Sequence, residues 1–141
     1  GISVIPCGGK SSLDRPTTLF RHLGIPVYVV WDSDRYEKNA KPNDNHRLLR
    51  LMGQPAEDWP CQVNKQFACF ERNLECTLQD EIGKAEFEQW LQGCQEDFCI
   101  PEKRQAIKNP VVVTEVIRKA QQHGRSSATL ENIVNRILVL K

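Results

Sequence analysis

The segment that most constrains this chain is Val27-Tyr28-Val29-Val30-Trp31-Asp32-Ser33-Asp34, the longest unbroken apolar run, which leads straight into two carboxylates. Apolar residues without polar alternation predict a strand buried on both faces, as in a parallel sheet. Pro26 has no N–H to give to a ladder and marks where the strand opens. In open α/β sheets ligands bind outside the carboxyl ends of the strands, which is where Asp32 and Asp34 stand. Residues i and i+2 of an extended chain point the same way, so the pair is expected to converge on one site. Oxygen-only ligands suit Mg²⁺ or Mn²⁺. Five apolar residues fall far short of the roughly 20 needed to span a bilayer, so no transmembrane helix is expected.

Other apolar runs and their punctuation predict an α/β chain. Ile2, Val4 and Ile5 read as a short β-branched strand ending at Pro6-Cys7-Gly8-Gly9, where paired glycines allow a tight turn. Asp14 and Pro16 signal a helix carrying Leu19, Phe20 and Leu23, with Gly24 as its stop. Strand, helix and the Val27 strand would then form one βαβ unit. From Asp32 to Asn45 the chain is almost entirely polar and is expected to be a mobile loop. Leu48, Leu49, Leu51 and Met52 predict a short helix ended by Gly53, and Val63 to Glu71 a further strand. Leu74, Leu78 and Ile82 recur at helical spacing, and another helix holds Phe87, Trp90 and Leu91. Asn109-Pro110 starts a helix with Val113, Val116, Ile117 and Ala120 inward, and the last helix runs from about Thr129 with Leu130, Ile133, Val134, Ile137 and Leu138 as its stripe. The expected organisation is a core over residues 1–100, incomplete at its N-terminus, with helices over 101–141 packing on the same domain.

Composition excludes several classes. With 141 residues, 40% apolar and 26% charged, the chain has room for one globular domain and is neither collagen-like nor wholly disordered. The formal charge of +1 is too balanced to indicate a nucleic-acid binder through bulk electrostatics. Its distribution is uneven: residues 1–56 carry eight basic and five acidic groups, 57–99 three and ten, and 100–141 eight and three. Six cysteines at irregular spacing, with no signal peptide, suggest reduced thiols and a cytoplasmic location. No Cys-x-x-Cys occurs, so structural zinc is not expected.

Two carboxylates are a thin cage for an ion that prefers octahedral oxygen coordination, and phosphodiester cleavage often uses two ions. Glu75, expected at the next strand-to-helix junction, is the best further acid; the alternative is a first-turn glutamate favoured by the helix dipole. Gly8-Gly9-Lys10-Ser11 is not a Walker A sequence, since Val4 stands where that motif needs its first glycine. It could still present backbone N–H groups and the Lys10 charge to a phosphate; a plain turn with a solvated lysine is the alternative.

Ile2-Ser3-Val4-Ile5-Pro6-Cys7-Gly8-Gly9-Lys10-Ser11, followed by Leu23-Gly24-Ile25-Pro26 and the Val27–Asp34 strand, resembles the Toprim domain of the overcoming-lysogenisation-defect (OLD) family of nucleases. The similarity covers residues 2–83, with the helical remainder matching in pattern. It implies a Toprim-like (Rossmann-like), largely parallel sheet flanked by helices, and a metal-dependent endonuclease that nicks or cleaves DNA. It also implies an ATPase domain N-terminal in the same polypeptide, and we expect a homodimer of the full-length protein. Asp32 and Asp34 match the family's Asp-x-Asp ligands to Mg²⁺ or Mn²⁺, with two ions expected in the intact site. Phe70-Glu71-Arg72-Asn73-Leu74-Glu75 is similar to a family segment ending in Leu-Glu, which supports Glu75, and Lys108-Asn109-Pro110 makes Lys108 a candidate for charge on the scissile phosphate. Gly8, Gly9 and Lys10, with a basic tail including Arg118, Lys119 and Arg125, would contact DNA. Toprim domains open with a strand ending in a catalytic glutamate, and nothing precedes Gly1 to supply it. The resemblance therefore implies a piece of a longer polypeptide lacking the first strand, inactive alone, with an open sheet edge prone to self-association.

Two other readings remain open at this point. A haloacid-dehalogenase-like phosphatase also ends an apolar strand in Asp-x-Asp and would use Asp32 as nucleophile, although Arg35 and Tyr36 replace the Thr or Val usual there. A non-catalytic regulatory or assembly module of an ATPase would need neither metal nor nucleophile.

Overall fold

The computed structural model describes residues 1–140. These form two compact units, Gly1–Leu74 together with the segment from Glu131 onward, and Glu75–Leu130. The boundaries differ from the division at residue 100 drawn from the sequence.

In the first unit, α1 (Asp14–His22), β1 (Val29–Asp32), α2 (Asn43–Leu51), β2 (Gln62–Val63) and β3 (Phe67–Phe70) follow in order. The sheet order is β1-β3-β2. β1 pairs with β3 in parallel, Val29 opposite Phe67 and Asp32 opposite Phe70, while β2 pairs antiparallel with β3. The fold is thus mixed α/β with a small mixed sheet, rather than the largely parallel sheet expected. Its antiparallel edge arises because the expected Val63–Glu71 strand is broken at Asn64. The Asn64 side-chain oxygen accepts from the Gln66 and Phe67 N–H groups at 2.9 and 3.0 Å and folds the segment into a hairpin.

The expected strand at Ile2–Pro6 does not form: Ile2, Val4 and Ile5 are exposed and pair with no strand. A strand needs a neighbour to take its N–H and C=O groups, and β-branched composition cannot supply one. The parallel strand–helix–strand unit therefore forms one element later, as β1–α2–β3.

Burial follows from this order. Leu48, Leu49 and Met52 of and after α2 pack with Val29, Trp31, Phe67 and Cys69 on one face of the sheet, and the Trp31 and Phe67 rings stack at 5.0 Å. The other face of β3, Ala68 and Phe70, packs against Ile133 and Ile137 of α7 (Ala128–Leu138). β3 is buried on both faces, whereas Val30 of β1 is 40% exposed; the two-sided burial expected for Val27–Trp31 belongs to β3.

In the second unit lie α3 (Leu74–Ile82), which begins one residue before it, α4 (Lys84–Asp97), α5 (Lys103–Ala106) and α6 (Pro110–Gln122). Asn109 caps α6, its side-chain oxygen accepting from the Val111 and Val112 N–H groups at 3.0 and 3.5 Å, with Pro110 in the first turn. The buried stripe of α6 is Val112, Val116 and Ala120, so Val112 takes the place expected for Val113. Arg125 donates to the Ile82 carbonyl at 2.7 Å and pairs with Glu86. That guanidinium passes so close to Gly83, at φ 108°, that a Cβ there would meet its Nη1 at 2.5 Å. Among the described residues no helix is long and apolar enough to cross a membrane.

Candidate functional site

The carboxyl end of β1 does not stop at its last ladder residue. The Ser33, Asp34 and Arg35 N–H groups continue the pairing by donating to the carbonyls of Phe70, Arg72 and Glu71 at 2.8, 3.1 and 2.9 Å. Ser33 is fully buried, and its hydroxyl donates to the Pro60 carbonyl at 2.5 Å. Its own carbonyl accepts from Lys10 Nζ at 2.9 Å and from Asn45 Nδ2 at 3.1 Å. Asn45 Nδ2 also donates to the Asp58 carbonyl at 2.7 Å. The polar segment expected to be mobile is thus tied to the rest of the unit at both ends.

The two aspartates have different surroundings. Asp32 Oδ1 accepts the Leu74 N–H at 3.1 Å, satisfying one of the donors that the start of α3 leaves open. Asp34 Oδ2 lies 2.7 Å from Lys10 Nζ. Asp34 sits at φ 63° and Tyr36 at φ 75°, a left-handed conformation uncommon for residues other than glycine, though more accessible to Asp. The i, i+2 alternation used to aim both carboxylates at one point applies to extended backbone, which here ends at Asp32. Arg35, pointed out to the rim, pairs with Glu71 and lies 4.9 Å from the Tyr36 ring centroid.

Lys10 reaches the turn because the chain bends at Gly8 and Gly9, at φ 74° and 144°, and then enters a short 3-10 turn over Lys10–Ser12. Arg47 of α2 holds that turn, donating to the Ser11 carbonyl at 2.9 Å and pairing with Asp44 at 3.1 Å and Asp14 at 3.6 Å. Sequence reasoning had placed Lys10 on a phosphate and did not single out Ser33, Asn45 or Arg47. Ser33 carried the one available signal, as the residue between two aspartates at a strand end. Nothing local marks Asn45 or Arg47.

Other expected site residues stand apart from this turn in the chain. Glu75 is in the first turn of α3 and belongs to the second unit, as does Lys108, exposed between α5 and α6. The basic tail is largely paired within its own unit: Arg118 with Glu115, Arg125 with Glu86, and Lys119 4.0 Å from Asp97. The Arg118 hydrogen bonds hold the Glu115 carboxyl below the ordinary carboxylate range.

Chemically, the β1 turn gathers hard oxygen atoms about a positive charge, with Lys10 as the cation. Ser33 carbonyl and Asp34 carboxylate already meet one ammonium within 2.9 Å, so the donor set fits a hard divalent ion in kind. It does not suffice in number: among the described residues no group of three or more His, Cys, Asp or Glu side chains could hold a metal ion.

Residues 1–34 match the family model described as "Overcoming lysogenization defect protein-like, TOPRIM domain". No curated protein and no solved structure matches the chain. The matched segment begins in the unpaired Ile2–Pro6 run and ends on Asp34.

Proposed function

We propose that this chain forms part of a Toprim-like nuclease domain of the OLD type, cutting DNA phosphodiesters with a divalent ion held at the carboxyl end of β1. The reading is carried by the family match over residues 1–34, which ends on the Asp32-Ser33-Asp34 turn. Asp32 and Asp34 are the proposed ligands, completed by acids from outside the turn. Mg²⁺ or Mn²⁺ bound there would supply Lewis-acid stabilisation and a water of lowered pKa.

The chain's own part is to fix these carboxylates. The Leu74 N–H sets one oxygen of Asp32, the buried Ser33 hydroxyl and N–H pin the turn to Pro60 and Phe70, and Asn45 braces the Ser33 carbonyl. A ligand held by packing and hydrogen bonds loses less entropy on binding than one on a loose loop. Gly8 and Gly9, exposed and without Cβ atoms, are the proposed approach for a DNA phosphate. The nucleic acid, an ATPase domain in the same polypeptide and a homodimer are the proposed partners.

Supercoiled-plasmid nicking with Mn²⁺ by a protein containing this chain tests the reading. Asp32→Ala and Asp34→Ala are each expected to lower the rate at least about a hundredfold, the order that one electrostatic stabiliser contributes to catalysis. Equal nicking by wild type and both variants, or none by any, would favour the assembly-module reading. A trapped aspartyl-phosphate on Asp32 would favour the phosphatase. Glu75→Gln and Lys108→Ala in the same assay decide whether those residues take part.

A further inference from the structure

We propose that the Lys10 ammonium occupies the cation position at the Asp34 carboxylate and is exchanged for the divalent ion, so that metal and lysine bind the turn in competition. The inference rests on the metal reading above. Its ground is the geometry of Lys10, whose side chain is only 13% exposed against 37% for Asp34, with Nζ at 2.7 Å from Asp34 Oδ2 and 2.9 Å from the Ser33 carbonyl. An exposed surface lysine would keep its ammonium in water. This one is delivered inward by the Gly8-Gly9 bend and by the Arg47 contacts on Ser11, Asp14 and Asp44.

Both acceptors it uses are carboxylate or carbonyl oxygens, the ligand types of Mg²⁺ and Mn²⁺. Wholly buried Asn45 binds the same Ser33 carbonyl through Nδ2 and leaves its Oδ1 without a hydrogen-bond partner. The turn therefore has an acceptor unused beside those already engaged. An ammonium and a divalent cation cannot share one carboxylate without mutual repulsion, and the cost is larger in a partly desolvated setting than in water. Lys10 displaced from Asp34 would be left beside two glycines as a mobile positive charge, which reconciles its present ion pair with the phosphate contact expected from sequence.

Mn²⁺ binding to the 141-residue chain, read by the electron paramagnetic resonance signal of free Mn²⁺ at fixed ionic strength, tests the exchange. Lys10→Gln is expected to bind Mn²⁺ about three- to tenfold more tightly than wild type, the range a partly exposed ion pair supports. Asp34→Asn is expected to weaken binding at least about tenfold with either residue at position 10. Equal or weaker binding by Lys10→Gln, with Asp34→Asn still impaired, overturns the exchange and leaves the metal reading standing. Binding that no Asp34 substitution affects overturns both. A second measurement needs no variant: in wild type, Mg²⁺ is expected to speed acetylation of Lys10 relative to exposed Lys38 by about threefold or more, as measured by peptide mass spectrometry. An unchanged ratio overturns the exchange.

Discussion

β1 and β3 lie side by side in parallel register, and each is a short run of mainly large apolar residues, yet they are held in different ways. Every residue of β3 is buried because α2 covers one face and α7 the other. β1 buries Val29 and Trp31 on one face only and, among the described residues, pairs on one edge only. It is fastened instead at its carboxyl end, through Ser33, Asp34 and Lys10. A third β-branched run, Ile2–Ile5, pairs with nothing, and its Val4 is 91% exposed. Apolar composition sets which segments can become strands; the number of neighbours decides whether they are core, edge or neither. A central strand is stabilised by burial, and an edge strand has spare backbone and side-chain capacity for a site.

The contrast can be broken by substitutions on the two strands. Phe67→Ala is expected to cost about 3–5 kcal/mol, from lost burial, an unfilled cavity and the lost stack on Trp31. Val30→Ala should cost under about 1 kcal/mol, since the residue is already partly in water. Urea-unfolding midpoints decide this, and similar losses at the two positions would mean that β1 is covered as β3 is.

Next in size is Ser33→Ala, which strands the Pro60 carbonyl without its buried donor. A loss of about 1–3 kcal/mol is expected, larger than that of Val30→Ala. A loss below about 0.5 kcal/mol would show that the polar clamp does not hold β1.

Chemical labelling sharpens the comparison from the β3 side. Burial pushes the Cys69 thiol up to about 12 from its ordinary 9.0, so at pH 8 it should react with maleimide at least about a hundredfold more slowly than exposed Cys61. The same shift links to stability. The folded chain keeps Cys69 neutral while the unfolded chain ionises first, so the contribution is complete below about pH 9 and is lost as pH rises toward about 12. Cys69→Val should flatten that part of the stability profile. The smallest effect belongs to the unpaired run: Val4→Ser should shift stability by no more than about 0.5 kcal/mol, and a larger loss would show that the run packs against something.

Local signals served the helices well. Asn109-Pro110 and Gly53 mark a start and a stop that the chain uses, because capping and backbone freedom are properties of a few adjacent residues. Long-range pairing was less legible. Asn64 turned one expected strand into a hairpin, and the burial expected of Val27–Trp31 went to Phe67–Phe70 because only the sheet order makes β3 central. The candidate site divides in the same way. Asp32 and Asp34 can be picked from their place after an apolar run, but no spacing rule pairs Lys10 with Asp34 across 24 positions of chain or puts Asn45 on the Ser33 carbonyl.

By itself the amino-acid sequence determined which residues can form helices and strands, where the chain must turn, and that two carboxylates follow an apolar run. These depend on side-chain shape, backbone freedom and charge within a few residues. The tertiary structure alone decided which strand is central, that Asp34 leaves extended geometry, and that its partner is an ammonium from a distant glycine turn. Those outcomes depend on which distant groups compete for the same hydrogen bonds and the same buried surface, a competition settled only when the chain is folded.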